Sequence, residues 1–511
     1  MSGAFVPMRA ALSRVWLISG GARADHTPEF QSCLKAMAAS QAFGDIEKIE
    51  CPDPDEFGEF IEIGVIQGAQ DRETSSLVGR YPINSESDLL KIARKRCAFD
   101  FQVNFGECED PKDFNDFQKK LIREDTYITN YGTDDMGALS SDENAVVNET
   151  ADTSSKTLYE VLPLSMTKRG DDVIDNPGID VVICDRPSCA GCSAESDGCE
   201  VIFVLAQNGA GSPGTAADIV YSIDKGQTWA EDDINSLLSS EAATALACVG
   251  DYVVVTSNDS ASLHYKLKSD IVAGTAGGWT EIATGIVAGG EPNDIWSVGN
   301  FAFIVGDGGY VYSTTDPTAG VTVLSPGDIT TENLNAVKAI SEFVAMAVGE
   351  NDAVIYTTTK TSWTTPTNAP VTGANLISCE MKSSVEWWAG SSNGQLEYTV
   401  DAGETVWIQE TLPGTGYTAI WDIHFATKSV GYLGVARTIS GTARGQILRT
   451  YSGGGGNGTA GGWKILPEGA GNIPLNDLIR AVYACPHDPN FVVGTGTDDA
   501  GTDGIIIIGQ D

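Results

Sequence analysis

Positive charge is what this chain has least of. Its 511 residues carry 31 Lys and Arg against 70 Asp and Glu, a formal net charge of −39. The deficit is spread along the sequence: residues 1–160 hold 16 basic against 29 acidic side chains, and the remainder 15 against 41. Tight binding to nucleic-acid phosphates and docking on an anionic membrane both need a Lys/Arg surplus, so both are excluded. Long apolar runs are missing as well; none approaches the ~20 residues of a membrane span, so membrane insertion is not expected. The N-terminal patch "VWLI" is shorter than the ~7–15 residues of a signal-peptide core. It reads instead as a first strand, with Val15 and Leu17 on one face and Trp16 and Ile18 on the other. Histidine is scarce: His26, His264, His424 and His487 are dispersed and form no H-x-x-x-H pair, which removes the helical zinc-protease pattern. His264 and His424 are expected to be packed within strands. Neither a G-x-S-x-G elbow nor a glycine-rich phosphate loop followed by Lys occurs.

What is abundant is glycine, 57 residues, concentrated in the second half among short Val, Ile and Tyr runs. Such a texture calls for many short strands and tight turns. Aligning the aromatic or apolar residue before the polar turn gives a repeat at Tyr221, Tyr265, Tyr312, Tyr356, Tyr398 and Arg449, spaced by 44, 47, 44, 42 and 51 residues. Short apolar strands precede each, among them "EVIFVLAQ", "DYVVVTS", "NFAFIVGD" and "VEWWAGS". About four strands in 40–50 residues is the arithmetic of a β-propeller blade. A last partial unit, "IRAVYAC", "NFVVGTG" and "GIIIIGQ", brings the expectation to seven blades, with six or eight as alternatives. That unit lacks one strand, which "YEVLPLSM" or "GIDVVICD" is placed to supply.

Two turns stand out. Ser222, Asp224, Gly226, Thr228 and Trp229 follow S-x-D-x-G-x-T-W; Thr399, Asp401, Gly403, Thr405 and Trp407 follow it with one extra residue before the Trp. Ser313 and Thr357 begin degenerate copies. A hydroxyl and a carboxylate at alternate positions can bond the turn's own N–H groups, Gly permits positive φ, and Trp packs between blades. Asp224 and Asp401 are therefore expected to build turns rather than catalyse.

Eleven cysteines include one group, Cys184, Cys189, Cys192 and Cys199 in "CDRPSCAGCSAESDGC". Only Cys189 and Cys192 have the C-x2-C spacing of a zinc clamp. Zinc competes there with one or two disulfides or free thiols. No other cofactor is expected; calcium at "GTDDAGTDG" near Asp498 competes with an acidic hairpin, and "DPDEFGEFIEIG" has Phe57 and Gly64 where a calcium loop needs oxygen ligands.

The polar turn resembles the Asp-box, or BNR, repeat of sialidase-like propellers, which implies a site between the third and fourth strands of a blade. Sialidases bind their substrate carboxylate with three arginines, but residues 187–436 contain none. Arg437, Arg444, Arg449 and Arg480 crowd into the end of the chain, so a sialidase activity is not expected. A further Asp-box-like propeller family assists photosystem assembly through a basic patch, which this acidic domain lacks.

Residues 1–160 differ in texture. Strands are expected at "SRVWLISGG", "IEKIECPD", "FIEIGVIQG", "SSLVGRYPI" and "AFDFQVNFGEC". Helices are expected over 27–41, 85–97 and 110–124, and a long arm over about 130–160. The fold class is thus an α+β N-terminal assembly domain (1–160), a Cys-containing connector with a closing strand (161–199), and an all-β propeller (200–511). "RVWLISGGARADHTPEF" and "SDLLKIARKRCAFDFQVNFGEC" look similar to tail-tube-type virion proteins of tailed bacteriophages. That resemblance implies a non-enzymatic structural protein that self-assembles as rings or tubes with other virion proteins, located in the virion after assembly in the host cytoplasm. Its propeller would be exposed for decoration or contact with a surface glycan. Two alternatives stand beside it: an extracellular glycan-binding or glycosidase propeller, and a cellular propeller scaffold for protein partners.

Overall fold

The structure is a computed structural model. In the C-terminal part it describes residues 165–169, 177–184, 199–207, 217–234, 243–257, 262–282, 285–454, 462–466, 478–498 and 504–510. In the N-terminal part it describes strands only, within residues 13–161. The chain divides into two compact units, Met1–Pro163 and Leu164–Asp511.

The second unit is a seven-bladed β-propeller. Seven four-stranded antiparallel sheets follow one another, six of them simple meanders and the seventh completed by a strand from the start of the unit. Blade 1 begins with strand Gly178–Cys184, blade 2 with Ala243–Val249, blade 3 with Pro292–Val298 and blade 4 with Leu334–Ala339. Blades 5, 6 and 7 begin with Leu376–Met381, Tyr417–Phe425 and Leu478–Cys485. These first strands contact one another in sequence and the last meets the first, so they line the axis. The ring is closed by Ser165–Arg169, which pairs antiparallel with the final strand from Ser165 opposite Gln510 to Arg169 opposite Ile506. The segment expected as a connector with a closing strand, 161–199, carries two propeller strands: the outermost of blade 7, which closes the ring, and the innermost of blade 1. Of the two candidates for closure, "GIDVVICD" is the inner strand, and only the end of "YEVLPLSM" overlaps the closing one.

Blade sheets are apolar on both faces because each is sandwiched between neighbours, which is why the second strands read as unbroken hydrophobic runs. In blade 1, Val201, Phe203 and Leu205 pack towards blade 2 beside Val253 and Val255. The alternate residues Ile202, Val204 and Ala206 pack towards blade 7 beside Val493, Ile506 and Ile508. All six are at most 1% exposed. Burial of such side chains is worth about 1.5–3 kcal/mol for each large one, so inter-blade contact is the main source of stability.

In the first unit every described element is a strand. A seven-stranded antiparallel sheet runs in the order Glu29–Cys33, Ser13–Gly20, Phe99–Phe105, Lys119–Thr133, Val146–Val161, Glu73–Pro82, Ala36–Gln41. Glu47–Pro52 and Phe60–Ile66 form a separate pair. The helix expected over 27–41 is replaced by two strands. Ala36–Gln41 pairs with six consecutive residues of Glu73–Pro82, and such ladder bonding overrides the helical propensity of Ala and Met. The expected helix 110–124 gives way from Lys119 onward to a long strand rich in Ile, Thr and Tyr. The expected helix over 85–97 lies outside the described residues. The stretch read as an arm holds Val146–Val161, bonded to a strand on each side.

Candidate functional site

The polar turns lie between third and fourth strands, and their side chains are consumed locally. In blade 1 the Ser222 hydroxyl donates to Asp224 Oδ1 at 2.8 Å and accepts the Gly226 N–H at 2.8 Å. Asp224 also accepts the N–H groups of Gln227 and Thr228 at 3.0 and 2.8 Å and the Thr228 hydroxyl at 2.6 Å. Gly226 has φ +78°, and a Cβ there would meet Ile508 Cδ1 at 2.0 Å. Trp229 donates to the Gly226 carbonyl at 3.2 Å and packs on the blade 7–blade 1 core.

Blade 5 repeats the arrangement. Thr399 donates to Asp401 at 2.7 Å and accepts from Gly403 N–H at 3.1 Å; Asp401 takes the Thr405 N–H at 3.0 Å and its hydroxyl. Trp407 is buried against Trp387 and donates to the Asn368 carbonyl at 3.0 Å. Partial burial raises both aspartates, but the bonds from Thr228, Thr405 and their neighbours prevail and hold them below the usual carboxylate range. The degenerate copy in blade 3 starts at Thr314 rather than Ser313: Thr314 donates to the Gly320 carbonyl and Asp316 caps Thr318. In blade 2 a short helix, Lys268–Val272, takes the place of the turn.

The cysteine group does not assemble as one site. Cys184 is bonded to Cys248 and Cys199 to Cys485, with Cα separations of 6.3 and 5.8 Å. A sulfur held in a disulfide has no thiolate to offer zinc, so the four-cysteine metal reading is withdrawn; Cys189 and Cys192 lie outside the described residues. The pairs tie blade 1 to blade 2 and blade 1 to blade 7, across the ring's closing seam. The late arginines are likewise dispersed. Arg437 donates to the Thr415 carbonyl, Arg449 to Asn490 at 2.7 Å, and Arg480 faces the axis.

The axis holds the arrangement that the sequence reading missed. Every first strand is bulged, leaving unpaired Ile179, Thr244, Asn293, Asn335, Ile377 and Arg480 near the start in blades 1 to 5 and 7, and both Thr418 and Trp421 in blade 6. The next residue of blades 1, 3 and 6 is an aspartate with the same two bonds. One oxygen of Asp180, Asp294 and Asp422 accepts the N–H of the following residue, each at 2.8 Å. The other accepts an N–H of the next blade: Leu246 at 2.8 Å, Val337 at 2.8 Å and Val482 at 2.9 Å. Each aspartate thus staples two blades.

Two residues further along, blades 3 to 7 supply Trp296, Lys338, Glu380, His424 and Tyr483, which close the axis as a floor. Tyr483 stacks on His424 with centroids 4.2 Å apart and on Trp296 at 6.1 Å. The Lys338 ammonium lies 3.5 Å from the Trp296 ring centre. His424 Nε2 donates to the Ala484 carbonyl at 2.9 Å, and Glu380 accepts the N–H groups of Met381 and Phe425. Above this floor lies a cup with a cavity volume of about 160 Å³.

Burial dominates the cup's electrostatics. It pushes Asp180 to about 7, with Asp422 adding repulsion, and Asp294 to about 7, with Asp180 adding repulsion. It also raises Glu380 to about 7 against the pull of Lys338. His424 is held down to about 3 by burial and by Lys338. Burial opposes the charge on Lys338, but Asp422, Glu380 and Asp294 outweigh it and leave the ammonium more basic than usual.

No protein-family description and no curated protein matches the chain. Solved propeller structures do. YCF48 from Cyanidioschyzon merolae is 14% identical with a TM-score of 0.48, covering 68% of this chain and 99% of its own. YCF48 bound to D1 peptide is 13% identical, TM-score 0.47, covering 69% and 96%. The WD40 repeats of RRP9 are 12% identical, TM-score 0.47, covering 68% and 97%. The seven-blade assignment rests on the strand pairing itself.

Proposed function

We propose that this chain is a non-catalytic scaffold whose propeller holds a protein partner through an apolar face on blades 4 and 5. The observation that carries the reading is a group of exposed apolar side chains: Ile340, Phe343, Val385 and Val406, at 42, 52, 47 and 52% exposure. They sit in first-to-second and third-to-fourth strand turns of neighbouring blades, which an antiparallel meander puts at one end of the sheet. The turns are firmly bonded. Ile340 N–H donates to the Val344 carbonyl at 3.1 Å, Lys360 N–H to that of Phe343 at 3.0 Å, and Ala402 N–H to that of Val385 at 2.8 Å. Exposed apolar groups gathered at one end of neighbouring blades and held there by bonded turns are suited to being covered by a partner. On a chain with 70 acidic side chains the complementary partner surface is an apolar anchor set among basic residues.

The non-catalytic part of the reading is supported by how the carboxylates are used: those of the polar turns and of the inner strands hold backbone amides. The two disulfides among the described residues support an oxidising working environment. Assembly into a virion tube has no comparable observation behind it. Cross-linking the full chain in extract from its source tests the reading. Cross-links from one protein partner concentrated at Lys360, whose partly exposed side chain stands beside Phe343, support it; a partner linked elsewhere on the chain, or turnover of a substrate, contradicts it.

A further inference from the structure

The axial cup contains two cations whose hydrogen-bonding capacity is unspent. Lys338, only 8% exposed, rests on Trp296; among the described residues its ammonium makes no hydrogen bond or ion pair. Arg480, at the rim, lies 5.7 Å over Trp421, and its Nε is buried without a partner. Between them stand Asp180, Asp294 and Asp422. Each of their oxygens holds one amide and keeps a second lone pair. Donors and acceptors therefore face the same space without meeting each other.

An anion entering this space is opposed by the three aspartates, and a cation by Lys338 and Arg480. A hydroxyl suits both sets, because the same atom donates to a carboxylate and accepts from an ammonium or guanidinium. Several hydroxyls on one ring satisfy several such pairs together. The volume sets the scale: a closed cavity of about 150 Å³ holds benzene, and this one is about 160 Å³ and opens past Trp421 and Arg480, so a ring bearing hydroxyls seats with part of it in the mouth. We propose that the cup binds one neutral polyhydroxylated ring of monosaccharide size, entering past Trp421 and Arg480. Its hydroxyls donate to Asp180, Asp294 and Asp422 and accept from Lys338 and Arg480. The cup opens at the end of the blades opposite the apolar face, so its test is independent of partner binding.

The test uses the full chain at neutral pH with methyl α-glucoside, methyl α-mannoside, methyl β-galactoside and myo-inositol. It reads ligand saturation-transfer NMR and tryptophan fluorescence, with succinate and putrescine as charged controls. The expected result is binding of at least one neutral ring, weakened tenfold or more by Arg480→Leu and by Lys338→Met, with neither control competing. Arg480→Leu, at the partly exposed rim, keeps the test decisive if Lys338→Met fails to fold. Presenting the bound sugar at the end of an oligosaccharide separates a glycan from a free sugar as its source. Failure of all four rings to bind the folded protein overturns the proposal. So does preference for succinate or putrescine, or binding that survives Arg480→Leu unchanged.

Discussion

The carboxylate of Asp294 in blade 3 accepts the N–H of Val337 in blade 4 at 2.8 Å while its other oxygen accepts the N–H of Ile295. One side chain thus satisfies an amide freed by its own strand's bulge and one across the blade interface. Asp294→Ala leaves both without an acceptor and is expected to cost about 2–3 kcal/mol. Asp294→Asn, which keeps one carbonyl oxygen, costs less. Urea unfolding of the two variants checks the order.

Asp180, Asp294 and Glu380 are each raised to about 7 in the folded chain. When unfolded they ionise near pH 4. Between those values the folded state holds more protons, so their contribution is full at low pH and is lost as pH rises from about 4 through about 7. His424, held down to about 3, acts in the opposite sense below its unfolded value of about 6.5, but three carboxyls outweigh one imidazole. Melting temperature is expected to fall between pH 5 and pH 7.5, and Asp294→Asn to flatten that fall.

The polar turns make a separate prediction. Asp224→Ala removes an acceptor serving the N–H groups of Gln227 and Thr228 and two hydroxyls. A loss of about 1–2 kcal/mol is expected by denaturant titration, with partner binding unchanged.

Closure of the ring is shared between the Ser165–Arg169 strand and the Cys199–Cys485 bond, which spans 286 residues. Replacing both cysteines by Ser is expected to cost about 2–5 kcal/mol. Reduction of the native protein should lower its melting temperature in the same direction, by calorimetry.

The propeller was legible because its signals are local. A buried hydroxyl closes the third strand at Ser222, Thr314, Thr357, Thr399 and Thr450, and apolar runs precede each. The axial cup was not, because its residues come one or two at a time from seven strands, and only their register aligns them. A trace existed in the tetrads "IDVV", "NDIW" and "WDIH" at 179–182, 293–296 and 421–424, each with Asp before a β-branched residue. The cysteine spacing misled because Cys184 and Cys199 find partners 64 and 286 residues away, and sequence distance says nothing of which blades a ring brings together. Over 27–41 the helical spacing was real, and strand pairing outweighed it.

The most direct test of the scaffold reading measures the affinity of the cross-linked partner for wild type and for the double variant Phe343→Glu, Val385→Glu. Both side chains are exposed, so the melting temperature should hold within about a degree or two, as for surface substitutions worth roughly ±0.5 kcal/mol. The expected result is binding at least tenfold weaker at unchanged stability; equal affinity for both proteins would contradict it.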